Sequence, residues 1–258
     1  MSMVLAERRG ATALITLNNP AQLNALGGTL LADLSAALDA ALADTTVRAI
    51  VLTGAGKGFC AGAQLGGPTF DAGSDVGSLL RDGVSPLIEK MRAARVPIIA
   101  AVNGPAAGAG AGLALAADIV VAARSARFIL SFVKLGAALD AGTSLFLQRA
   151  IGVPRARAMA LLGEPVTGEQ AAQWGLIWKA VDDAELLAEA LAVAQKLADG
   201  PPVSLNLIKQ QIEAAWQAPL AVALEGEAEA QARAFVTEDL REGATAFVEK
   251  RPPRFTGR

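Results

Sequence analysis

One carboxylate stands among small and apolar residues in the stretch KLGAALDAGT: Asp140. An Asp in such a segment is more often a turn cap or a solvated residue than a catalyst. In a desolvated pocket, however, its pKa would rise and it could take up and return a proton. It has few rivals. The chain contains no His and no Tyr. That excludes Ser-His-Asp and Cys-His nucleophile systems, zinc sites built on His, and any His or Tyr acid or base. Asp, Glu, Lys, Cys, Ser and backbone amides remain. The single cysteine, Cys60, could be reactive at a helix start, but a lone Cys more often packs as a small buried residue. Glu164 and Glu169 flank the turn GEPVTGEQ, where they suit capping and the helix dipole better than chemistry.

Two glycine-rich stretches could supply backbone amides. GAGKGFCAGAQL spans residues 54–65 and follows a short apolar run. Glycines there let the chain turn sharply and bring N–H groups close to a ligand. The stretch lacks the Lys-Ser/Thr of a phosphate-binding P-loop and the setting of a dinucleotide fingerprint. A purely structural turn is the competing reading. The second stretch, VNGPAAGAGAGLALAAD, spans residues 102–118. A strand ends at Asn103-Gly104 and a helix of small residues begins near Ala109. Free N–H groups at a helix start attract developing negative charge, and small residues also permit close helix packing.

The elements that must position these residues are read from periodicity. Residues 11–18 (ATALITLN) predict a strand ending in a turn at Asn-Asn-Pro. Leu30, Leu34, Leu38 and Leu42 predict a helix over residues 30–43. Residues 48–53, 97–102 and 119–122 are short apolar runs that predict buried strands. Strands alternating with helices predict an α/β layered core. Residues 66–83 are rich in Gly, Ser and Asp without a clear period, and are read as a long loop. From Val153 the pattern is nearly all helical, with breaks at residues 200–202, at Pro219 and near Thr237. A boundary near residue 200 divides the chain into a core (1–199) and a helical C-terminal region (200–258).

Composition narrows the partners. The chain has 258 residues, 53% of them hydrophobic and 19% charged, which suits a folded protein with a sizeable core. A net charge of −2 gives no case for nucleic acid or an anionic membrane as the main partner. The N-terminus has no long apolar run, so no secretory leader is expected. The most apolar stretch, 108–123, is interrupted by Gly and Asp118, so no membrane span is expected. One cysteine allows no internal disulfide and fits a cytoplasmic protein.

The order of GAGKGFCAGAQL, AVNGPAAGAGAGLALAADI and KLGAALDAGTS resembles the crotonase (enoyl-CoA hydratase/isomerase) family. LNNPAQLNAL near the N-terminus and EGATAFVEKRPPRFTGR at the C-terminus resemble it too, so the likeness covers essentially the whole chain. DIVVAARSARFILSFVKLG and GLIWKAVDDAEL resemble the ring-epoxide isomerases of the family in particular. The resemblance implies an α/β fold: a spiral of ββα units with a helical C-terminal region that assembles trimers or dimers of trimers. It implies an acyl-CoA thioester as substrate, with coenzyme A as part of the substrate and no separate cofactor or metal.

The resemblance also implies roles. Two backbone N–H groups, matching Ala63 and Ala109, would hold the thioester oxygen. Ala25, Ala61, Gln64 and Leu65 match positions along the adenosine and pantetheine path. Phe247 and Lys250 match a C-terminal helix that reaches CoA, often from a neighbouring subunit. Family hydratases use two glutamates; here those positions are Gly112 and Phe132, which carry no proton. Gln64 replaces a usual Asp. Asp140 matches the Asp of isomerase members, with Leu139 where those members have Pro, which loosens the turn. One carboxylate suits a 1,3-proton shift, so the implied activity is an acyl-CoA isomerase acting on a double bond or ring epoxide. Hydration or another reaction of the family is the alternative. A non-catalytic binding protein is a third reading, and the absence of a Lys/Arg cluster argues against RNA as its ligand.

Overall fold

The computed structural model describes residues 2–64 and 75–258. β1 (Val4–Arg9) and β2 (Thr12–Leu17) form an antiparallel hairpin, paired from Val4 with Leu17 to Arg9 with Thr12. β2 opens a run of parallel strands: β3 (Ala49–Gly54), β4 (Ile98–Val102), β6 (Ile119–Ala123) and β9 (Lys179–Val181). The six-stranded order is β1-β2-β3-β4-β6-β9. β3 and β4 are buried at every position. That is why they read as unbroken apolar runs rather than alternating ones: layers cover both faces of a parallel sheet. A second, three-stranded sheet is built from β5 (Pro105–Ala107), β7 (Arg127–Ile129) and β8 (Val166–Thr167).

Two units repeat the same logic. β4 passes within three residues into β5 and then α4 (Ala109–Leu115). β6 passes into β7, then a short 3-10 turn at Ser131–Leu135, then α5 (Thr143–Leu162). The ends of the large sheet thus feed the small sheet and the helices beyond it, which is the expected ββα arrangement. α1 (Leu30–Ala43) presents Leu30, Leu34 and Leu38, all fully buried, and lies against β1 and β2. α7 (Leu186–Ala198) presents Leu186, Ala190, Ala194 and Ala198 at the same spacing and packs on β3, β4 and β6. Burying one such leucine is worth roughly 1.5–3 kcal/mol.

Two expectations need correction. Residues 66–83 were expected to form one long loop; 66–74 lie outside the described residues, but from Val76 the chain is helical. α2 (Val76–Leu79) leads through a π-turn at Leu80–Val84 into α3 (Ser85–Ala93). The Asp75 side chain caps α2 by accepting from Ser78 N at 2.9 Å. The Gly, Ser and Asp that read as loop are in part this cap. Beyond Val153 the chain is not all helix either. β8 pairs with β7, and β9 is the edge strand beside β6. Strands of two and three residues exist through their pairing and leave no period to read. α6 (Gly168–Trp174) lies between them, started by the Thr167 side chain, which accepts from Gln170 N.

α8 (Pro202–Ala215), α9 (Leu220–Phe235) and α10 (Glu238–Glu249) follow, broken where the sequence indicates. α8 is stitched to the core by charge. Lys209 pairs with Asp118 at 2.8 Å, with both side chains largely buried, and donates to Ala94 O and Val96 O. Glu213 bridges Arg92 of α3 and Arg149 of α5 at 2.6 and 2.9 Å. No helix among the described residues is long and apolar enough to cross a membrane.

Candidate active site

The glycine loop after β3 is held by two asparagines. Asn24 is fully buried in a left-handed conformation (φ 58°). Its amide donates to Ala55 O and Gly58 O, and its oxygen accepts from Asn19 N. Asn103, at the end of β4, accepts from Gly54 N and donates to Gly56 O and Gly58 O. Neither asparagine was singled out for this work by sequence reasoning. The signal available was an Asn at each turn flanking a glycine-rich stretch.

Beyond the loop, residues 59–64 lie between two other segments. On one side, Phe59 N and Cys60 N both donate to Pro105 O, and Ala107 N donates to Cys60 O. On the other side, Ala61 N donates to Leu23 O and Leu26 N to Gly62 O. Gly62 has φ 83°, and a Cβ there would lie 2.5 Å from Ala107 O and 3.3 Å from Ala109 N. Residue 62 must therefore be glycine for the segment to reach the start of α4. Ala63 follows, exposed, while Ala109 is buried as the first residue of α4. Neither N–H has an acceptor among the described residues. The structure thus brings these two sequence-predicted amides to one place.

The other predicted positions divide into two groups. Ala25 is buried next to Leu26, and the Gln64 side chain lies across Gly27, so Ala25, Ala61 and Gln64 line one junction. Leu65 lies outside the described residues. Phe247 and Lys250 stand at the exposed end of α10. The described hydrogen bonds of α10 tie it to the C-terminal tail: Thr256 N and Gly257 N donate to the buried Asp239, and Arg254 N donates to Glu242. No described hydrogen bond joins α10 to α4 or to residues 59–64 within one chain.

Asp140 approaches α4 from the opposite side. It ends the segment after the 3-10 turn and precedes α5. Its backbone oxygen accepts from Thr143 N at 3.0 Å and from Thr143 Oγ1 at 2.7 Å. Ala141 (φ 49°) and Gly142 (φ 75°) carry the chain through a left-handed corner between them. Thr143 is fully buried, so both of its bonds to the Asp140 carbonyl are shielded from water. The Asp140 carboxyl is half-buried, and its Oδ1 is shut from solvent with no hydrogen-bond partner among the described residues. Loss of hydration pushes its pKa up to about 6. A carboxylate held near neutrality is suited to take up and release a proton. Cys60 is fully buried and burial pushes its thiol up to about 12, which leaves it unreactive at neutral pH. Phe132 is buried, and its ring comes within 3.7 Å of where a Gly108 Cβ would be.

Comparison with known proteins bears on this geometry. The family model described as enoyl-CoA hydratase/isomerase matches residues 7–258. The chain is 42% identical over 261 residues to the 1,2-epoxyphenylacetyl-CoA isomerase of Escherichia coli, covering all of both chains. It is 39% identical to the 2,3-dehydroadipyl-CoA hydratase of the same organism, again over the full length of both. The crystal structure of an enoyl-CoA hydratase from Bacillus anthracis superposes with a TM-score of 0.94 at 32% identity, covering 99% of this chain and 100% of that one.

Proposed function

Because the chain belongs to the enoyl-CoA hydratase/isomerase family, we propose that it is an acyl-CoA isomerase whose one acid/base group is Asp140. The observation that carries this reading is the buried Oδ1 of Asp140, without a hydrogen-bond partner among the described residues, in a chain with Gly112 and Phe132 where the resemblance places the glutamates of hydratases. The Asp140 carboxylate takes a proton from carbon α or γ of the acyl group. The electron pair moves to the thioester oxygen, which the N–H groups of Ala63 and Ala109 receive. Removing one such donor costs about 2.7–4 kcal/mol of transition-state stabilisation. The protonated carboxyl then returns its proton to the other carbon. An aromatic-derived ring epoxide is the first acyl group to assay, given the likeness to the 1,2-epoxyphenylacetyl-CoA isomerase.

Ala25, Ala61, Gln64 and Leu65 lie along the CoA path in this reading. Phe247 and Lys250 reach the CoA of a second copy in a trimer or dimer of trimers. The ammonium of Lys250 suits a CoA phosphate. Exposure of Phe247 (85%) and Val248 (79%) supports their burial against a partner. The cytoplasm is the compartment we assign, with Cys60 remaining a thiol.

The test is Asp140→Asn. CoA-ester binding should persist while isomerase turnover falls by a factor of about 10² to 10⁴. For the wild type, kcat/KM should rise through a pH of about 6 and level off above it, because the base must be ionised. Near-wild-type turnover of the variant overturns the assignment. Hydration is the second reading, favoured by the hydratase names among the relatives. Water addition to crotonyl-CoA separates the two, since robust hydration refutes the isomerase.

A further inference from the structure

We propose that Gly112 is a positioning residue: its bare α-carbon lets the corner at Ala141 and Gly142 close onto α4, and that seating sets where the Asp140 carboxyl points. The proposal rests on Asp140 being the acid/base group. Gly112 sits three residues after Ala109, about 4.5 Å along the same helix. A Cβ on it would lie 2.4 Å from Ala141 O, 2.5 Å from Ala141 Cβ and 3.1 Å from Ala141 C. Two of these contacts are with backbone, which has no rotamer to yield.

The corner is pinned from two directions. From α5, Thr143 holds the Asp140 carbonyl with both its N–H and its hydroxyl. From α4, the absence of a side chain at Gly112 admits Ala141, which is buried there at φ 49°. A non-glycine residue in the left-handed region is under strain and persists only where its surroundings fix it. The Asp140 side chain leaves the chain one residue before this contact. Its placement relative to Ala109 is therefore set by how closely Ala141 meets Gly112.

This gives Gly112 a meaning beyond a lost carboxylate. Any side chain at position 112, a glutamate included, competes for the volume that Ala141 fills. A carboxylate side chain at 112 would have to displace Ala141 from its present seating. Conversion to a hydratase therefore needs the corner rebuilt as well as glutamates restored, and Gly112→Glu with Phe132→Glu should remove isomerisation without supplying hydration.

The experiment is a double-mutant cycle between Gly112→Ala and Ala141→Gly, with Asp140→Asn as reference. Each variant is read by thermal melting, CoA-ester binding, kcat, KM and the pH profile of kcat. Gly112→Ala should lower kcat on the order of 100-fold, the scale of an ångström-sized misplacement, with KM changed by less than about threefold. Its pH inflection should move down from about 6 as the carboxyl gains water. Adding Ala141→Gly removes the Cβ contact and lets the corner settle back nearer to α4, so the double variant should recover part of the loss. A folded Gly112→Ala protein with wild-type kcat and inflection overturns the proposal, as does strict additivity. Should Gly112→Ala not fold, Ala141→Gly alone decides: a several-fold lower kcat at unchanged KM supports the proposal and an unchanged kcat overturns it. An active Asp140→Asn variant sinks the isomerase reading instead, so the two failures stay distinguishable.

Discussion

Where residues 60–63 meet β5 and α4, backbone lies on backbone. Cys60 is hydrogen-bonded to both Pro105 and Ala107, and Gly62 leaves no room for a β-carbon beside Ala107 O. In α9 and α10 the opposite holds. Leu220, Phe235, Phe247 and Val248 are each more than 60% exposed. The first region finishes its own packing and achieves positional accuracy by using the smallest residues. The second leaves large apolar side chains in water, a condition that supports the proposed association surface. The comparison separates two parts of the proposed site: the Ala63 and Ala109 amides with the Asp140 carboxyl, which lie within the packed core, and Phe247 and Lys250, which lie on the exposed end of α10.

The sharpest way to break that contrast is Gly62→Ala. The new methyl meets Ala107 O at 2.5 Å in a backbone conformation (φ 83°) that alanine resists. The expected loss is about 2–3 kcal/mol of stability, measured by denaturant unfolding. Turnover should fall at least tenfold more than binding, because the Ala63 and Ala109 amides separate. A variant with unchanged melting and turnover would mean that this junction has slack the geometry denies.

The paired change Phe247→Asp with Val248→Asp acts on the other side of the comparison. It should leave the packing of the core, read by near-UV circular dichroism, nearly unaltered, since within one chain both side chains are exposed. On the proposed assembly, light scattering should show a shift from trimer or hexamer toward monomer. KM for acyl-CoA should rise several-fold while the pH inflection stays at about 6, because Asp140 lies in the packed core away from α10. An unaltered mass would refute the association surface.

What the sequence revealed in advance follows the same division. Leu30, Leu34 and Leu38, and the apolar runs that became β3 and β4, were legible because burial imposes a period or a run on the residues. β1 carries five exposed residues out of six and β9 only three residues, so neither has a pattern apart from its partner strand. Ala63, Ala109 and Asp140 were singled out by the family resemblance that the order of motifs carries. Composition alone made Asp140 a turn residue, and it is one, through Thr143. What no pattern carried was the contact of Gly112 with Ala141. It joins residues far apart in the chain, and a glycine in a helix of small residues gives no hint of which neighbour fills its place.

The smallest expected effect tests the comparison with a second glycine. Gly226 lies inside α9, and a β-carbon there would meet nothing within 4 Å. Gly226→Ala should therefore do the reverse of Gly62→Ala. It should stabilise the chain by roughly 0.5–1 kcal/mol, the helix-propensity difference between the two residues. Turnover should stay at the wild-type level, read beside the melting temperature. The sign carries the information. A rise in melting temperature means that this side of α9 stays open in the assembled protein and confines the association surface to the side chains around Phe247. A fall, with dissociation seen by light scattering, means that a second copy approaches α9 at Gly226 as closely as Ala107 approaches Gly62, and that the open region closes by the same backbone-to-backbone packing once a partner is present.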